Sequence, residues 1–546
     1  MGRSVWEVCE LDATDIQTSS LAHYGIVAGI YDELGIGDLI DSKIPKMNAH
    51  KVSHGTMVKS FIINGLGFVC RRLYLFPEFF ENLPTERLFG PGILPEYLNQ
   101  YSAGETLDQI SEYGPTKLYT EVILEIFKKE LMENQYVHVD TTNFSVHGDY
   151  EGYDGSDAFE ITFGHPKDGR WDLKRFVLSL ATNQNGIPIY TEILSGNAPD
   201  KETIIQSIES INKYLEYVSQ ENLYYVADSS FYSEDNIKAM GVNYWMSRVP
   251  ATLNSSKDLL YVDATLTPSE MDKRYSFYET YVTYGGIEQK WVLIRSEHML
   301  ARQEKSFQKR LIREEERARK ELRKLQSNYY FCEDDARKAL QEWIESEPFF
   351  EFEEMSIKTK IRRKDGKRGR PGKNTEMETT YRIRAKLVFS DKHIEYEKQK
   401  LGRFILATND LNMKPDDLLK AYKNQSKVER GFRFLKDKSF RVAEVYLKKK
   451  ERIEALMVVM VIALMIYNYA EQKLRQNLEK SDKTVPDQKR RPTKRPTMKW
   501  CFFLFTGVTE VFAKIGTEKI AQIANMTDVL WDILELLGEE CKKYYV

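Results

Sequence analysis

The sequence predicts an α/β protein in which a core of strands and helices is split by a β-rich insertion with a helical arm and preceded by a mainly helical amino-terminal domain. Three observations carry this expectation. Hydrophobic periodicity is helical to about residue 133, then alternates like a strand in Tyr136-Val-His-Val-Asp-Thr-Thr-Asn-Phe-Ser-Val-His147, and mixes strands with helices to residue 249. A block of the same character resumes at Arg403-Phe-Ile-Leu-Ala-Thr408. Between the blocks lie strands of their own and a helical pattern dense in Arg, Lys and Glu.

Bulk properties set limits. A chain of 546 residues exceeds what one hydrophobic core supports. The net charge of −3 announces no polyanionic partner, but the charge is unevenly spread and local runs matter more than the total. Cys9, Cys70, Cys332, Cys501 and Cys541 are scattered, with no Cys-x-x-Cys, which argues against a disulfide framework or zinc site and points to a reducing cytoplasm. The start has no secretory apolar segment, and Trp6 stands where a myristoylation signal needs Ser or Thr. Ala455 to Ala470 is too short an apolar run to span a bilayer, so a buried helix and no membrane partner are expected.

Residues 1–133 form the helical domain, with periodic segments at Ala22–Leu34, Thr56–Phe68 and Thr116–Leu131 and helix-start signals at Ser53 and Pro115. DNA binding and dimerisation are the roles open to it. Residues 134–249 open with strands at Tyr136–His147, Ala158–Gly164 and Lys174–Thr182, read as an antiparallel meander, and Gly186–Tyr190 is a fourth short strand or a turn. A helix at Lys201–Val218, a strand at Leu223–Asp228, a helix at Ser233–Met240 and a strand at Val242–Arg248 follow. Three meander strands, then helix, strand, helix, strand, is the ribonuclease-H-like order. Asp140 lies inside the first strand, where propensity disfavours it, and Asp228 ends the later one, where open α/β sheets present reactive groups. His138 precedes Asp140 by two and shares its face; a structural role and a supporting one are both open.

Residues 250–402 are the insertion. Strands are expected at Leu259–Asp263, Tyr275–Tyr284, Gln289–Arg295, Phe349–Ile361 and Thr379–Phe389. Phe307, Leu311, Ala318, Leu322 and Leu325 make a coiled-coil-like seam for which Ala336, Ala339, Leu340 and Trp343 offer an antiparallel partner. Lys358 to Lys373 holds nine basic residues against one acid and contains Arg368-Gly369-Arg370-Pro371. That core resembles an AT-hook, a narrow segment suited to the A·T minor groove.

Residues 403–475 return to the core. A helix starting near Pro415 leads into Ala421–Asp437, read as one helix, and the apolar helix Glu454–Leu474 covers the sheet. At about 100° per residue, Tyr422, Gln425, Glu429 and Lys436 fall within roughly 60° of one another, with Arg433 beside them. Ala421, Val428, Phe432 and Leu435 make the adjacent apolar stripe. Such a polar stripe suits a phosphate and a metal ion; a solvated face is the alternative reading. Residues 476–546 are a basic, Pro-rich linker at Lys489–Thr497 and an apolar helical region from Trp500 to Leu537.

With Asp140, Asp228 and Glu429 in that order and a long insertion before the third, the chain resembles a DDE transposase. It is most similar to the bacterial insertion sequence four superfamily, in the long-chain branch with a β-rich insertion. The family's Tyr-x2-Arg-x3-Glu-x6-Lys signature is matched by Tyr422, Glu429 and Lys436 at the family spacing, with Gln425 in place of the Arg; Arg433 or Arg430 could supply the missing charge. The segments Gly164–Lys174 and Gly186-Ile-Pro through Gly196-Asn197 extend the likeness. The resemblance implies two Mg²⁺ ions, replaceable by Mn²⁺, on Asp140, Asp228 and Glu429. It also implies phosphate contacts by Tyr422, Gln425, Arg433 and Lys436, and a flipped base stacked on Trp291 or, in reserve, Trp245. The partners it implies are double-stranded DNA, as terminal inverted repeats and target, and a second copy of the chain, in the bacterial cytoplasm at the nucleoid. The function expected is cut-and-paste transposition. A ribonuclease-H-fold nuclease without strand transfer, or an inactive DNA-binding protein derived from a transposase, are the alternatives.

Overall fold

A computed structural model describes all residues except 1–12, 47–49, 68–74, 130–134, 148–149, 151–158, 167–168, 216–222, 367, 369, 437–446, 448 and 516–517. The chain is mixed α/β and divides into two compact units, one comprising residues 1–247 and 420–546 and the other residues 248–419. The helical amino-terminal region and the carboxyl-terminal tail therefore belong to the same unit as the first sheet.

The strands of that sheet in the first unit are β1 (Tyr136–Val146), β2 (Lys174–Asn183), β3 (Pro188–Ser195), β4 (Tyr224–Ala227) and β5 (Tyr244–Arg248), in the order β3-β2-β1-β4-β5. β1, β2 and β3 are antiparallel, and β1, β4 and β5 are parallel. Helices α1 (Asp200–Leu215) and α2 (Glu234–Ala239) make the two crossovers, as parallel pairing requires. The meander differs from expectation in its members. Among the described residues of 158–164 only an isolated bridge forms, Thr162 to Arg175, and the third strand is β3, starting two residues after Gly186. Close backbone packing explains it: a Cβ on Gly164 would stand 1.9 Å from the Gly196 carbonyl oxygen, so the segment crosses the end of β3 at a distance only glycine permits.

Helices α3 (Pro415–Lys423), α4 (Gln425–Leu435) and α5 (Lys450–Lys480) complete the part of the fold that matters for chemistry. The single helix expected over Ala421–Asp437 is two, interrupted at Asn424, and Asp437 lies outside the described residues. α5 is the central element of its unit, packed against β3, α4 and the amino-terminal helices His54–Leu66 and Gln100–Tyr113. Its most apolar stretch would be long enough to cross a membrane, yet 78% of it is buried inside the protein, which makes it a core helix. The amino-terminal helix His54–Leu66 is capped by Ser53, whose Oγ accepts from the Thr56 amide at 3.1 Å, and Pro115 opens the helix Pro115–Lys128.

The tail corrects the expectation of a helical end. Met498–Leu504 and Asp528–Leu537 are helices, but Thr509–Ile515 and Glu518–Ala524 form a hairpin whose first strand pairs with Ala13–Ser20. Thr509-Glu-Val-Phe-Ala-Lys-Ile is rich in β-branched and aromatic residues, a local preference that the overall apolarity of the tail hides.

In the second unit, Tyr275–Tyr284, Ile287–Ser296 and Arg403–Thr408 form antiparallel ladders. Leu259–Asp263 is not a strand; Asn254–Leu260 is a helix, begun where Ser256 Oγ donates to the Pro250 and Leu253 carbonyls. The helices Glu297–Ser327 and Glu333–Glu345, expected to pair along a seam, both pack on the long hairpin Phe350–Arg363/Met377–Phe389. Phe307, Ala318, Leu322, Ala336 and Leu340 are buried with Ile383 and Leu387 of that hairpin, and Leu311, Leu325 and Trp343 lie at the margin.

Candidate active site

Two of the acids are aligned by strand register. β1 and β4 run parallel with Tyr136 opposite Tyr224, Val137 opposite Tyr225 and His138 opposite Val226. Two residues further along each chain stand Asp140 and Asp228, so the register sets them side by side at the carboxyl end of β4, on neighbouring strands about 4.8 Å apart. Asp140 is half-buried, and its Oδ1 accepts from the following Thr141 amide at 2.7 Å, which is how a mid-strand carboxylate is held. Asp228 is exposed; its Oδ1 accepts from the Ser230 amide at 2.9 Å and its carbonyl from Ser247 Oγ at 2.7 Å. The chain thus turns sharply behind it and fixes where the carboxylate leaves the sheet.

The third acid is positioned by two pins. His138, Asp140 and Thr142 alternate onto one face of β1. Gln425, the first residue of α4, is buried on that face: its Oε1 lies 3.1 Å from His138 Nδ1, and its Nε2 donates to the Val139 carbonyl at 3.2 Å. Lys436, at the other end of α4, donates from Nζ to Thr142 Oγ1 at 2.6 Å, and its ammonium lies 5.1 Å from the Phe144 ring centroid. α4 therefore lies along the strand. Glu429 comes one turn after Gln425 on the same helical face, which puts it on the stretch of α4 that passes Asp140. Its side chain is exposed.

The three acids come from three neighbouring elements, β1, the end of β4 and α4. Among the described residues, no three His, Cys, Asp or Glu side chains are gathered closely enough to hold a metal ion. The donor set fits a hard divalent cation: three carboxylates from three separate elements, one half-buried and two exposed, leaving room for water and phosphate.

Electrostatics favours a neutral imidazole behind the acids. Burial lowers the His138 pKa to about 4, against which the Gln425 hydrogen bond raises it and the nearby Lys427 ammonium lowers it further. With an amide oxygen as partner, the neutral ring donates from Nδ1, an assignment made from the hydrogen-bond geometry. His138 is thus a structural support of the α4 pin.

The other expected site residues separate. Tyr422 is half-buried on α3, two residues before the break at Asn424. Arg433 is exposed on α4. Gln425, expected on a phosphate, is instead consumed by β1. Trp245 and Trp291 are fully buried, Trp245 against Phe231 and Tyr232, Trp291 with its Nε1 donating to Gln289, so neither presents a ring face to a flipped base. Alternation and burial of apolar strand residues account for both. Arg368, Arg370 and Pro371 are exposed in the connection of the long hairpin, and Gly369 lies outside the described residues. Sequence reasoning missed Thr142, the strand partner of Lys436; its place two residues after Asp140 was the available signal.

A family model described as "Transposase DDE domain" matches residues 135–466, and one described as "Domain of unknown function (DUF4277)" matches residues 16–124. No curated protein matches the chain. Among solved structures, the chain is similar to the cryo-EM structure of the piggyBac transposase synaptic complex with hairpin DNA, at 5% identity and a TM-score of 0.37 over 90% of this chain and 82% of that one. It is similar also to the crystal structure of the Mos1 strand transfer complex, at 15% identity and a TM-score of 0.14 over 33% of this chain and 58% of that one. The first family model covers more than half of the 546 residues and contains all three acids, and the chain belongs to the transposase DDE domain family.

Proposed function

We propose that the protein is the DNA transposase of a bacterial insertion sequence, of the type that carries the Tyr-Arg-Glu-Lys signature, and that it binds the terminal inverted repeats of its element as a homodimer, cuts them and joins them to target DNA. The observation that carries this reading is the parallel register of β1 and β4, which sets Asp140 beside Asp228 under the helix that bears Glu429. On this reading Asp140, Asp228 and Glu429 hold two Mg²⁺ ions, or Mn²⁺ in their place. Ions held there would supply a polarised nucleophile and charge stabilisation at the leaving oxygen of an in-line phosphoryl displacement. The chain itself supplies position: β1 and β4 fix two carboxylates, α4 carries the third, and Tyr422, Arg433 and Lys436 orient the DNA phosphate beside it. Arg368, Gly369, Arg370 and Pro371 would enter an A·T-rich minor groove, which the exposure of Arg368, Arg370 and Pro371 in the connection of the long hairpin supports. The site of action is the cytoplasm, at the nucleoid.

The test is incubation of the full chain with a duplex carrying the ends that flank its gene, a target plasmid and Mg²⁺. Joined products are the expected outcome; cleavage without joining identifies a nuclease, and binding alone an inactive DNA-binding protein. Asp140→Asn, Asp228→Asn and Glu429→Gln each remove cleavage and spare binding. Cleavage retained by any one of them overturns the assignment of that acid.

A further inference from the structure

On the flank of α4 turned away from Asp140 lies a cleft of about 800 Å³, walled by α4, α5, the turn between β2 and β3 and the tail segment that carries Arg495 and Lys499. At about 100° per residue, Arg430 stands about 100° and Lys427 about 160° round the helix from Glu429. Both line the cleft, with Arg433 at the edge nearer the acid. The opposite walls contribute Arg475, Arg495 and Lys499. Against these six cations the lining holds two carboxylates, each engaged by an arginine: Glu471 with Arg475 at 2.7 Å, Glu479 with Arg495 at 3.3 Å. In a chain of net charge −3 this is a strong local concentration of positive charge.

We propose that this cleft is a second phosphate-binding track, one that seats the backbone of the DNA strand running on from the phosphodiester at Glu429. The inference rests on the DNA-cutting reading above. Small-molecule pockets are mostly apolar with a few polar groups. This one is lined by separated cations along a walled groove, the pattern that tracks a nucleic-acid backbone. Its floor is built. Lys427 donates from Nζ to the Gln184 carbonyl, Asn468 Nδ2 donates to the Gly186 carbonyl at 2.6 Å, and Gly186, at φ +82°, sits where a Cβ would press to 3.0 Å on the Lys427 side chain. Arg430, one residue past the acid, faces this track.

The test measures the slope of log K against log salt for the full-length Asp140→Asn protein on duplex DNA carrying its element's end, with and without Arg430→Ala and Lys499→Ala. Loss of two phosphate contacts lowers the slope by about 0.9 each. Arg430→Lys with Lys499→Arg restores it, which separates lost charge from misfolding. An unchanged slope in the double alanine variant overturns the track while leaving the DNA-cutting reading intact. No salt-dependent DNA binding by the parent overturns both. The same loss with equal affinity on single-stranded RNA overturns the assignment to DNA.

Discussion

Replacing Gln425 by Leu decides whether that position touches DNA or builds the site. The structure buries Gln425 and gives its amide two partners, His138 Nδ1 at 3.1 Å and the Val139 carbonyl at 3.2 Å. Leu has a similar volume and opens no large cavity, but it leaves a buried N–H and a buried C=O without those partners, at about 1–3 kcal/mol each. The expected cost is therefore about 2–6 kcal/mol, read as a fall in the urea midpoint. Because no charge changes, the salt slope of DNA binding stays that of the parent. Cleavage falls, since Glu429 rides one turn beyond the lost pin, and in a cycle with His138→Ala the two losses are less than additive because they share one hydrogen bond. Unchanged stability together with weakened, less salt-dependent DNA binding would refute the reasoning and return Gln425 to the phosphate.

Two further outcomes follow from the same physics. His138, and likewise His23, whose pKa burial also lowers to about 4, are held neutral, so their folded pKa values lie below the ordinary 6.5. The stability they contribute is present above pH 6.5 and is lost as pH falls toward 4, at about 3 kcal/mol for His138, and urea midpoints measured from pH 7 to pH 4 should fall less steeply in His138→Gln. In the insertion, Arg317 grips the buried Glu347 carboxylate through two contacts of 2.7 Å. Arg317→Ala should cost about 2 kcal/mol, discounted for the exposure of the arginine, and should loosen the arm in hydrogen exchange without changing the strand register of β1 and β4.

What was legible in the sequence was what obeys a short period. Tyr136–Val146 alternates, and its Asp140 is conspicuous because strand interiors rarely carry a carboxylate; Asp228 follows from the end of an apolar run. The seam of Phe307, Ala318 and Leu322 is likewise a local pattern, and the structure buries it. What was not legible depended on partners distant in the chain. Gln425 reads as a member of a polar stripe, and only β1, 286 residues away, turns it into a buried clamp. Trp245 and Trp291 have indole groups suited to stacking, but whether a ring faces solvent is settled by the neighbouring strands. The strand Thr509–Ile515 needed an edge supplied by Ala13–Ser20 from the other end of the chain.

α4 shows why a helical stripe alone underdetermines function. One side of it is spent on the sheet, where Val428, Phe432 and Leu435 are buried and Gln425 and Lys436 are tied to β1. Pinned at both ends, the helix cannot roll, so the direction in which Glu429 points is set by two hydrogen bonds eleven residues apart rather than by the carboxylate itself. The same constraint fixes Arg430 and Lys427 on the far flank, over the cleft. A single change that frees one end of the helix, such as Gln425→Leu, should therefore redirect the acid while the cations of the cleft, and with them the salt slope, stay. A change confined to one flank, such as Glu429→Gln or Arg430→Ala, should disturb one and leave the other.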